Sequence, residues 1–190
     1  MKKRIISTII IFLLTLSFCV STNANIITKN KSIDTDEIRL VYDFEKPTIK
    51  KVFSNSEIFD RINIKGLENN GNQGKPTLPV KGVYILIPNG KTIKDIDINC
   101  EKHSLNGKYL IEPASKKTII SNEENFVKKI DSKTYEMDSL FPLKPFEKID
   151  VFSFRGYSIL VLNIYPVQYL PSKGEIYYHN FIEFNIKLSN

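Results

Sequence analysis

The chain has little of what most catalytic and metal sites are made from. Its 190 residues include two cysteines, two histidines and no tryptophan. A nucleophile with a histidine base, or a metal site of three or four ligands, is hard to assemble from so few groups. We therefore expect no catalytic residue, no metal site and no cofactor in this chain.

The excess of basic over acidic residues is also small. There are 27 basic and 21 acidic residues, a formal charge of +6. Three of the basic residues, Lys2, Lys3 and Arg4, lie in a segment that we expect to be removed. The small excess that remains is spread along the chain and does not make the basic stripe that nucleic-acid binding needs. We predict no nucleic-acid partner.

The one long apolar run lies at the N-terminus and is typical of an export signal. Ile5–Val20 carries no charge, follows the basic start and is followed by small polar residues that end at Ala24. This order predicts a secretory signal peptide over residues 1–24, cleaved after Ala24, and therefore a secreted, extracytoplasmic protein. The run is shorter than the ~20 residues of a typical membrane-spanning helix. We expect no stable membrane insertion after cleavage.

Two alternatives to a cleaved signal peptide remain. The run could be an uncleaved anchor, or Cys19 could be lipidated, although Phe18 stands where a small residue is expected. After cleavage only Cys100 is left, so no internal disulfide can form. Cys100 shares strand parity with Ile98, which indicates a small buried side chain.

The rest of the chain carries strand signals. After a polar, flexible leader (residues 25–35), Glu37–Phe44 alternates apolar and polar residues as a half-buried strand does. Further strands are predicted at Ile58–Ile64, Val83–Ile87, Thr92–Cys100 (with a bulge), Tyr109–Ile111, Val151–Phe154, Tyr157–Val167 and Glu175–Leu188. Turn residues separate them at short intervals. One all-β domain over residues 36–190 is predicted, an antiparallel β-sandwich or a jelly-roll-like barrel.

One segment, Ala114–Leu140, lacks strand character. It is rich in Lys, Ser, Asn and Glu, with weak periodicity and a helical turn predicted near Glu123–Ile130. Loops of this length in a small domain are usually functional or disordered. We predict a long, exposed excursion.

Short motifs that suggest chemistry fail on inspection. Gly71–Thr77 resembles a phosphate loop, but its spacing is wrong and Pro76 lacks an amide hydrogen. Asp95, Asp97 and Asn99 imitate the start of a calcium loop without its glycine and final glutamate. We interpret the first as a turn and the second as the polar face of a strand.

A set of segments taken in order is more specific than any one motif. They are Gly74-Lys75-Pro76-Thr77-Leu78-Pro79-Val80, Ile111-Glu112-Pro113-Ala114, Tyr135, Phe141-Pro142, Arg155-Gly156-Tyr157, Tyr165-Pro166-Val167-Gln168-Tyr169-Leu170-Pro171 and Gly174-Glu175-Ile176-Tyr177-Tyr178. Together they resemble the N-terminal prodomain (propeptide) of gingipain-type cysteine peptidases, from about Asp36 to Leu188. Leu170 departs from the family pattern, in which Asn is commoner.

The resemblance implies an all-β domain that precedes a caspase-like peptidase, assists its folding and blocks its active site. The implied partner is the catalytic domain of a gingipain-type cysteine peptidase. In this family a loop after the Pro-Ala strand reaches the specificity pocket, and here that loop would be Ser115–Phe126. The implied inhibitory residues are Lys116, Lys117, Ser121, Asn122 and Glu123.

Asn122 stands where the best-known members carry a basic residue, which argues against arginine-type specificity. Lys116 and Lys117 are alternatives for the pocket, and Asn122 could equally be a solvated loop residue.

Three hypotheses follow for function. The first is an inhibitor and folding chaperone of a gingipain-type peptidase, either as a stand-alone protein or as the front piece of a precursor without its catalytic domain. The second is a secreted β-sandwich binding or adhesion module, because a fold alone does not fix a function. An exposed aromatic patch outside the loop would favour this second hypothesis. The third is a membrane-anchored surface protein.

Overall fold

Strands and turns dominate the computed structural model, which describes residues 36–54, 57–115 and 130–190. The strands are β1 (Glu37–Asp43), β2 (Thr48–Ser54), β3 (Glu57–Asn63), β4 (Glu68–Asn70), β5 (Leu78–Ile87), β6 (Thr92–Cys100), β7 (His103–Leu105), β8 (Phe146–Phe154), β9 (Tyr157–Ile164), β10 (Val167–Leu170), β11 (Glu175–Tyr178) and β12 (Phe181–Ser189). A short helix α1 (Ser132–Tyr135) and a 3-10 turn (Pro171–Lys173) interrupt them. These strands pair antiparallel, which confirms the predicted class of fold. In the described ranges no helix has the length and apolar character needed to cross a membrane.

Two of the sheets enclose the first hydrophobic core. One has the strand order β1-β12-β6 and the other β4-β5-β9-β8. Alternate residues of each strand point inward, so Leu160 and Leu162 of β9 and Phe184 and Ile186 of β12 are fully buried. Phe146 of β8 meets Phe184 edge-on, with ring centroids 5.5 Å apart. The two sheets thus pack their apolar faces on one core.

A second core forms where two smaller groups of strands meet the start of β5. The sheet β10-β11-β7 and the hairpin β2-β3 contribute to it. Its buried side chains are Ile62, Ile64, Leu78, Ile111, Val167, Tyr169 and Ile176. The described strands therefore form four sheets around two cores. A single two-sheet sandwich or a closed jelly-roll-like barrel does not describe all of them.

Pairing partners decide where several strands end. The stretch predicted as one strand, Tyr157–Val167, divides into β9 and β10 at Pro166, which has no amide hydrogen to pair. Glu175–Leu188 divides into β11 and β12, because β11 joins the sheet of the second core and β12 that of the first. The bulge predicted in Thr92–Cys100 is present: Asp95 pairs with Lys187 and Ile93 with Leu188, so Lys94 is the extra residue.

Further features differ from the sequence-based prediction: β4 and β7 are not predicted, and β5 and β8 begin five residues before the predicted strands. Thr48–Ser54 is a strand that the sequence does not predict, because the adjacent Lys50 and Lys51 obscure its alternation. The prediction of a strand at Tyr109–Ile111 is wrong, since Ile111 makes only an isolated bridge to Asp60.

Candidate functional site

The residues predicted to inhibit a peptidase lie in the segment 116–129. Lys116, Lys117, Ser121, Asn122 and Glu123 are outside the described residues, as are Ala24 and, apart from its last residue, the helical turn predicted near Glu123–Ile130. The structure does describe where this segment leaves the fold and where it returns. We call these surroundings the segment base, which comprises Gly71–Thr77, Ile111–Ser115 and Ile130–Tyr135.

Gly74 holds both ends of the segment. Its amide donates a hydrogen bond to the carbonyl oxygen of Ala114 at 2.9 Å, and its own carbonyl oxygen accepts one from the amide of Asp131 at 2.9 Å. The amide of Ala114 donates in turn to the carbonyl oxygen of Lys75 at 2.8 Å. Gly74 has a φ of 80°, a left-handed conformation that glycine adopts at little cost. A single glycine therefore fixes the exit and the return of a segment of 14 residues.

The turn that contains Gly74 also packs closely against the first end. A Cβ atom at Gly71 would lie 3.0 Å from the carbonyl oxygen of Pro76 and 3.2 Å from the Cβ of Ala114. Pro76 forms an isolated antiparallel bridge with Pro113, and the amide of Thr77 donates to the Glu112 carbonyl oxygen at 2.9 Å. The stretch interpreted from sequence as a turn is thus the support of the segment.

Two buried carboxylates stabilise the chain before the first end. Glu112, 3% exposed, accepts two hydrogen bonds from the guanidinium of Arg61 at 2.6 and 2.8 Å. Asp60, 2% exposed, pairs with Lys51 Nζ at 2.8 Å and accepts from the amide of Leu110 at 3.0 Å. The hydrogen bond to Glu112 raises the pKa of Arg61. Each carboxylate faces a cation, so the two ion pairs position the backbone before the first end.

Two tyrosines connect the second end to the first. The Tyr135 hydroxyl, on α1, donates to the carbonyl oxygen of Ile111 at 2.6 Å, and the Tyr169 hydroxyl donates to that of Tyr109 at 2.8 Å. Their rings meet edge-on with centroids 6.5 Å apart. Burial raises the pKa of both phenols, which keeps them protonated as donors. These contacts hold α1 against the extended stretch that leads to Ala114.

A buried glutamine and histidine stabilise the next turn of the chain. The Gln168 side-chain amide donates to the carbonyl oxygen of Pro142 at 2.9 Å. That fixes its orientation, so its Oε1 faces His179 Nε2 at 3.1 Å. His179 Nδ1 lies 3.0 Å from the carbonyl oxygen of Glu101. Burial lowers the pKa of His179, which favours the neutral ring. This network joins three separate stretches of the chain through hydrogen bonds and acts as a packing element.

The other residues considered from sequence are also structural. Cys100 is half-buried against the first core, and burial raises the pKa of its thiol. Asp97 lies on an exposed strand face and accepts from Lys187 at 2.6 Å. Across the three described ranges, no three His, Cys, Asp or Glu side chains are grouped so as to hold a metal ion.

Several of the residues that carried the resemblance lie at or next to the segment base. Gly74, Pro113, Tyr135, Gln168 and Tyr169 each make one of the contacts above. Sequence reasoning missed two features here: the hydrogen bonds of Gly74 to both ends, and the ion pair of Glu112 with Arg61. A charged residue between the apolar Ile111 and Pro113 was the one available signal for the second.

Known proteins share this sequence pattern and this architecture. The family described as Propeptide_C25 matches residues 20–190. The chain is similar to a solved complex of Porphyromonas gingivalis RgpB pro- and mature domains, with a TM-score of 0.68 and 16% identity over 83% of this chain and 81% of that chain. It is also similar to a structure described as giving insight into zymogenic latency of gingipain K from Porphyromonas gingivalis. There the TM-score is 0.64 and the identity 22%, over 85% of this chain and 90% of that chain. No curated protein matches the sequence.

Proposed function

Since the chain belongs to the Propeptide_C25 family, we propose that it is a secreted inhibitor and folding chaperone of a gingipain-type cysteine peptidase. As a propeptide domain it is not catalytic itself. It acts on the catalytic domain of the peptidase, either as a separate chain or as the front piece of a precursor. The predicted signal peptide, cleaved after Ala24, is the route of export.

The observation that carries this proposal is the segment base. Gly74 fixes both ends of the 116–129 segment, and buried ion pairs and tyrosine hydroxyls fix the stretch before it and the helix after it. A binding segment whose ends are already ordered loses less conformational entropy on docking, so more of its contact energy becomes affinity. Such a base suits a segment that occupies an active-site cleft.

The residues proposed to enter the specificity pocket are Asn122, or else Lys116 or Lys117, with Ser121 and Glu123 beside Asn122. One side chain seated in a pocket acts as an anchor that carries much of the binding energy. A lysine would select a pocket with a carboxylate, whereas an asparagine would select a smaller polar one.

The test is inhibition of mature gingipain-type peptidases by the purified chain, in a panel that includes RgpB and gingipain K. We expect slow, tight inhibition of at least one enzyme. Either Asn122→Ala or the double variant Lys116→Ala/Lys117→Ala should weaken it at least tenfold, because an anchor side chain is lost. The matched control, Lys46→Ala/Lys50→Ala, removes the same charge from exposed positions outside the segment and should inhibit like the wild type. Absence of inhibition across the panel would refute the proposal.

The alternative, a secreted β-sandwich binding or adhesion module, has one observation in its favour. Exposed aromatic side chains are clustered on one sheet face, outside the segment base; they include Tyr84 and Phe154, which are 77% and 59% exposed. Binding of a surface ligand without peptidase inhibition would support this alternative.

A further inference from the structure

Among the described residues, one face of the sheet β4-β5-β9-β8 is apolar and largely exposed near the β8–β9 turn. Strand pairing places Leu86, Ile159 and Phe152 opposite one another in one cross-strand row. The next row on this face, on the side away from the β8–β9 turn, contains Tyr84 and Val161. Phe154 and Tyr157 pair in the row on the other side. Cross-strand partners point to the same side of a sheet. Tyr84, Leu86, Phe152, Phe154 and Tyr157 are 77%, 58%, 51%, 59% and 58% exposed. We call these five residues, with Ile159 and Val161 between them, the outer apolar face.

The outer apolar face is large enough to contribute to a stable interface. Taking an aromatic side chain as about 200 Å², its four exposed rings offer roughly 500 Å². One partner of a standard-size protein interface contributes about 800 Å². Isolated apolar residues need no explanation, but a contiguous patch of this size is often functional.

The same side of β5 carries the packing that supports the segment base. Leu78 and Tyr84 are six positions apart, and in a regular strand residues an even number of positions apart point to the same face. Leu78 is buried in the second core beside Ile111, which leads directly into the first end of the 116–129 segment. The second core therefore covers this face of β5 at one end and leaves it open at the other. The two ends are about 20 Å apart at 3.3 Å per residue.

We propose that the outer apolar face is a second docking surface for the catalytic domain of a gingipain-type cysteine peptidase. The inference rests on the proposed function, since it assigns the same partner to a second site. A folded domain that engages the segment base is wide enough to reach about 20 Å along β5. The aromatic residues supply apolar area in addition to that of the 116–129 segment, and aromatic side chains are common anchors of interfaces.

The polar rim of this face indicates the chemistry of the opposing surface. Asp150 pairs across from Val161, in the row of Tyr84, and Glu147 pairs across from Asn163. Both carboxylates are on β8 at the edge of the sheet. The surface that docks here is apolar at its centre, with a lysine or arginine facing these two carboxylates.

The test measures binding separately from inhibition. The purified chain is titrated against mature RgpB and gingipain K whose catalytic cysteine is replaced by alanine. The double variant Tyr84→Thr/Phe152→Thr keeps residues that favour strands and removes two exposed rings. We expect its dissociation constant to rise at least tenfold with an unchanged thermal midpoint. The control, Phe53→Thr/Ile58→Thr, removes an exposed pair at 76% and 62% exposure from the β2-β3 hairpin and should bind like the wild type. Should the double variant be less stable, Leu86→Lys tests the same surface with one exposed change.

The outcomes separate the two proposals. If the wild-type chain binds and the variants of the outer apolar face bind equally tightly, this inference is overturned and the proposed function stands. If the wild-type chain binds neither enzyme, the proposed function is overturned and this inference with it. A wild-type dimer in sedimentation that Tyr84→Thr/Phe152→Thr converts to a monomer, with peptidase affinity unchanged, would assign the face to a second copy of the chain instead.

Discussion

Removing the hydroxyl of Tyr169 isolates the contribution of one buried hydrogen-bonding group to the segment base. Tyr169 is 1% exposed. Its hydroxyl donates to the carbonyl oxygen of Tyr109 at 2.8 Å and accepts from the backbone of Ile111. Tyr169→Phe keeps the ring in the second core and leaves these two backbone groups without that partner. Each such group costs about 1–3 kcal/mol when water cannot replace the partner. Because Tyr109 is only half-buried, we expect a total loss of about 2–3 kcal/mol.

Urea unfolding followed by circular dichroism measures this loss. With a slope of about 2 kcal/mol per molar urea for a domain of this size, the midpoint should fall by about 1–1.5 M. The matched control is Tyr165→Phe, the same chemical change at a hydroxyl that donates to the exposed Glu147 at 3.2 Å. Water replaces that contact, so the expected cost is below about 0.5 kcal/mol.

Equal midpoint shifts for Tyr169→Phe and Tyr165→Phe would refute the argument that burial makes the Tyr169 hydroxyl important. A shift of less than about 0.3 M for Tyr169→Phe alone would do the same, since it corresponds to about 0.5 kcal/mol. Tyr109–Ile111 leads to the first end of the segment. We therefore expect Tyr169→Phe to inhibit the peptidase more weakly than the wild type does, at a urea concentration at which the wild type is still folded.

Two further predictions concern pH and a turn. Burial lowers the folded-state pKa of His179 below 6.5, so below that pH the unfolded chain binds more protons and stability falls as the pH falls. Urea titrations between about pH 7.5 and 5 should show this loss, and His179→Gln should reduce it; an identical pH dependence in the variant would contradict the assignment. Glu183 does not interfere, because hydrogen bonding to Arg39 lowers its pKa and its contribution is lost only below about pH 4.5. Gly156, in the β8–β9 turn, has a φ of 84°, and a Cβ added there would have no atom within 4 Å, so Gly156→Ala should cost about 1 kcal/mol through backbone strain alone. Gly82→Ala, where the nearest atom would be 3.9 Å away and φ is not positive, is the control in thermal unfolding, and equal losses for both would argue against strain.

Local patterns determined most of the strands of this protein. Alternation of apolar and polar residues in β1 and β6 reflects one half-buried and one exposed face, and that periodicity is written in the sequence. The bulge in β6 was predictable for the same reason, because one isoleucine is out of phase. The family was also recognisable from ordered short motifs, since glycines and prolines that bend the chain leave a spacing that can be compared.

Tertiary structure alone decided which residues form the segment base. The hydrogen bonds of Gly74 join it to Ala114 and Asp131, which are 40 and 57 positions later in the chain. No local pattern encodes such a pairing. Glu112 is buried against Arg61, and Asp60 is buried against Lys51. A buried carboxylate needs such a cation beside it, and only the tertiary structure brings these residues together. The outer apolar face likewise depends on the pairing register of β5, β9 and β8. Its exposed aromatic residues lie on separate strands, and they form one surface only because the register places them in neighbouring cross-strand rows.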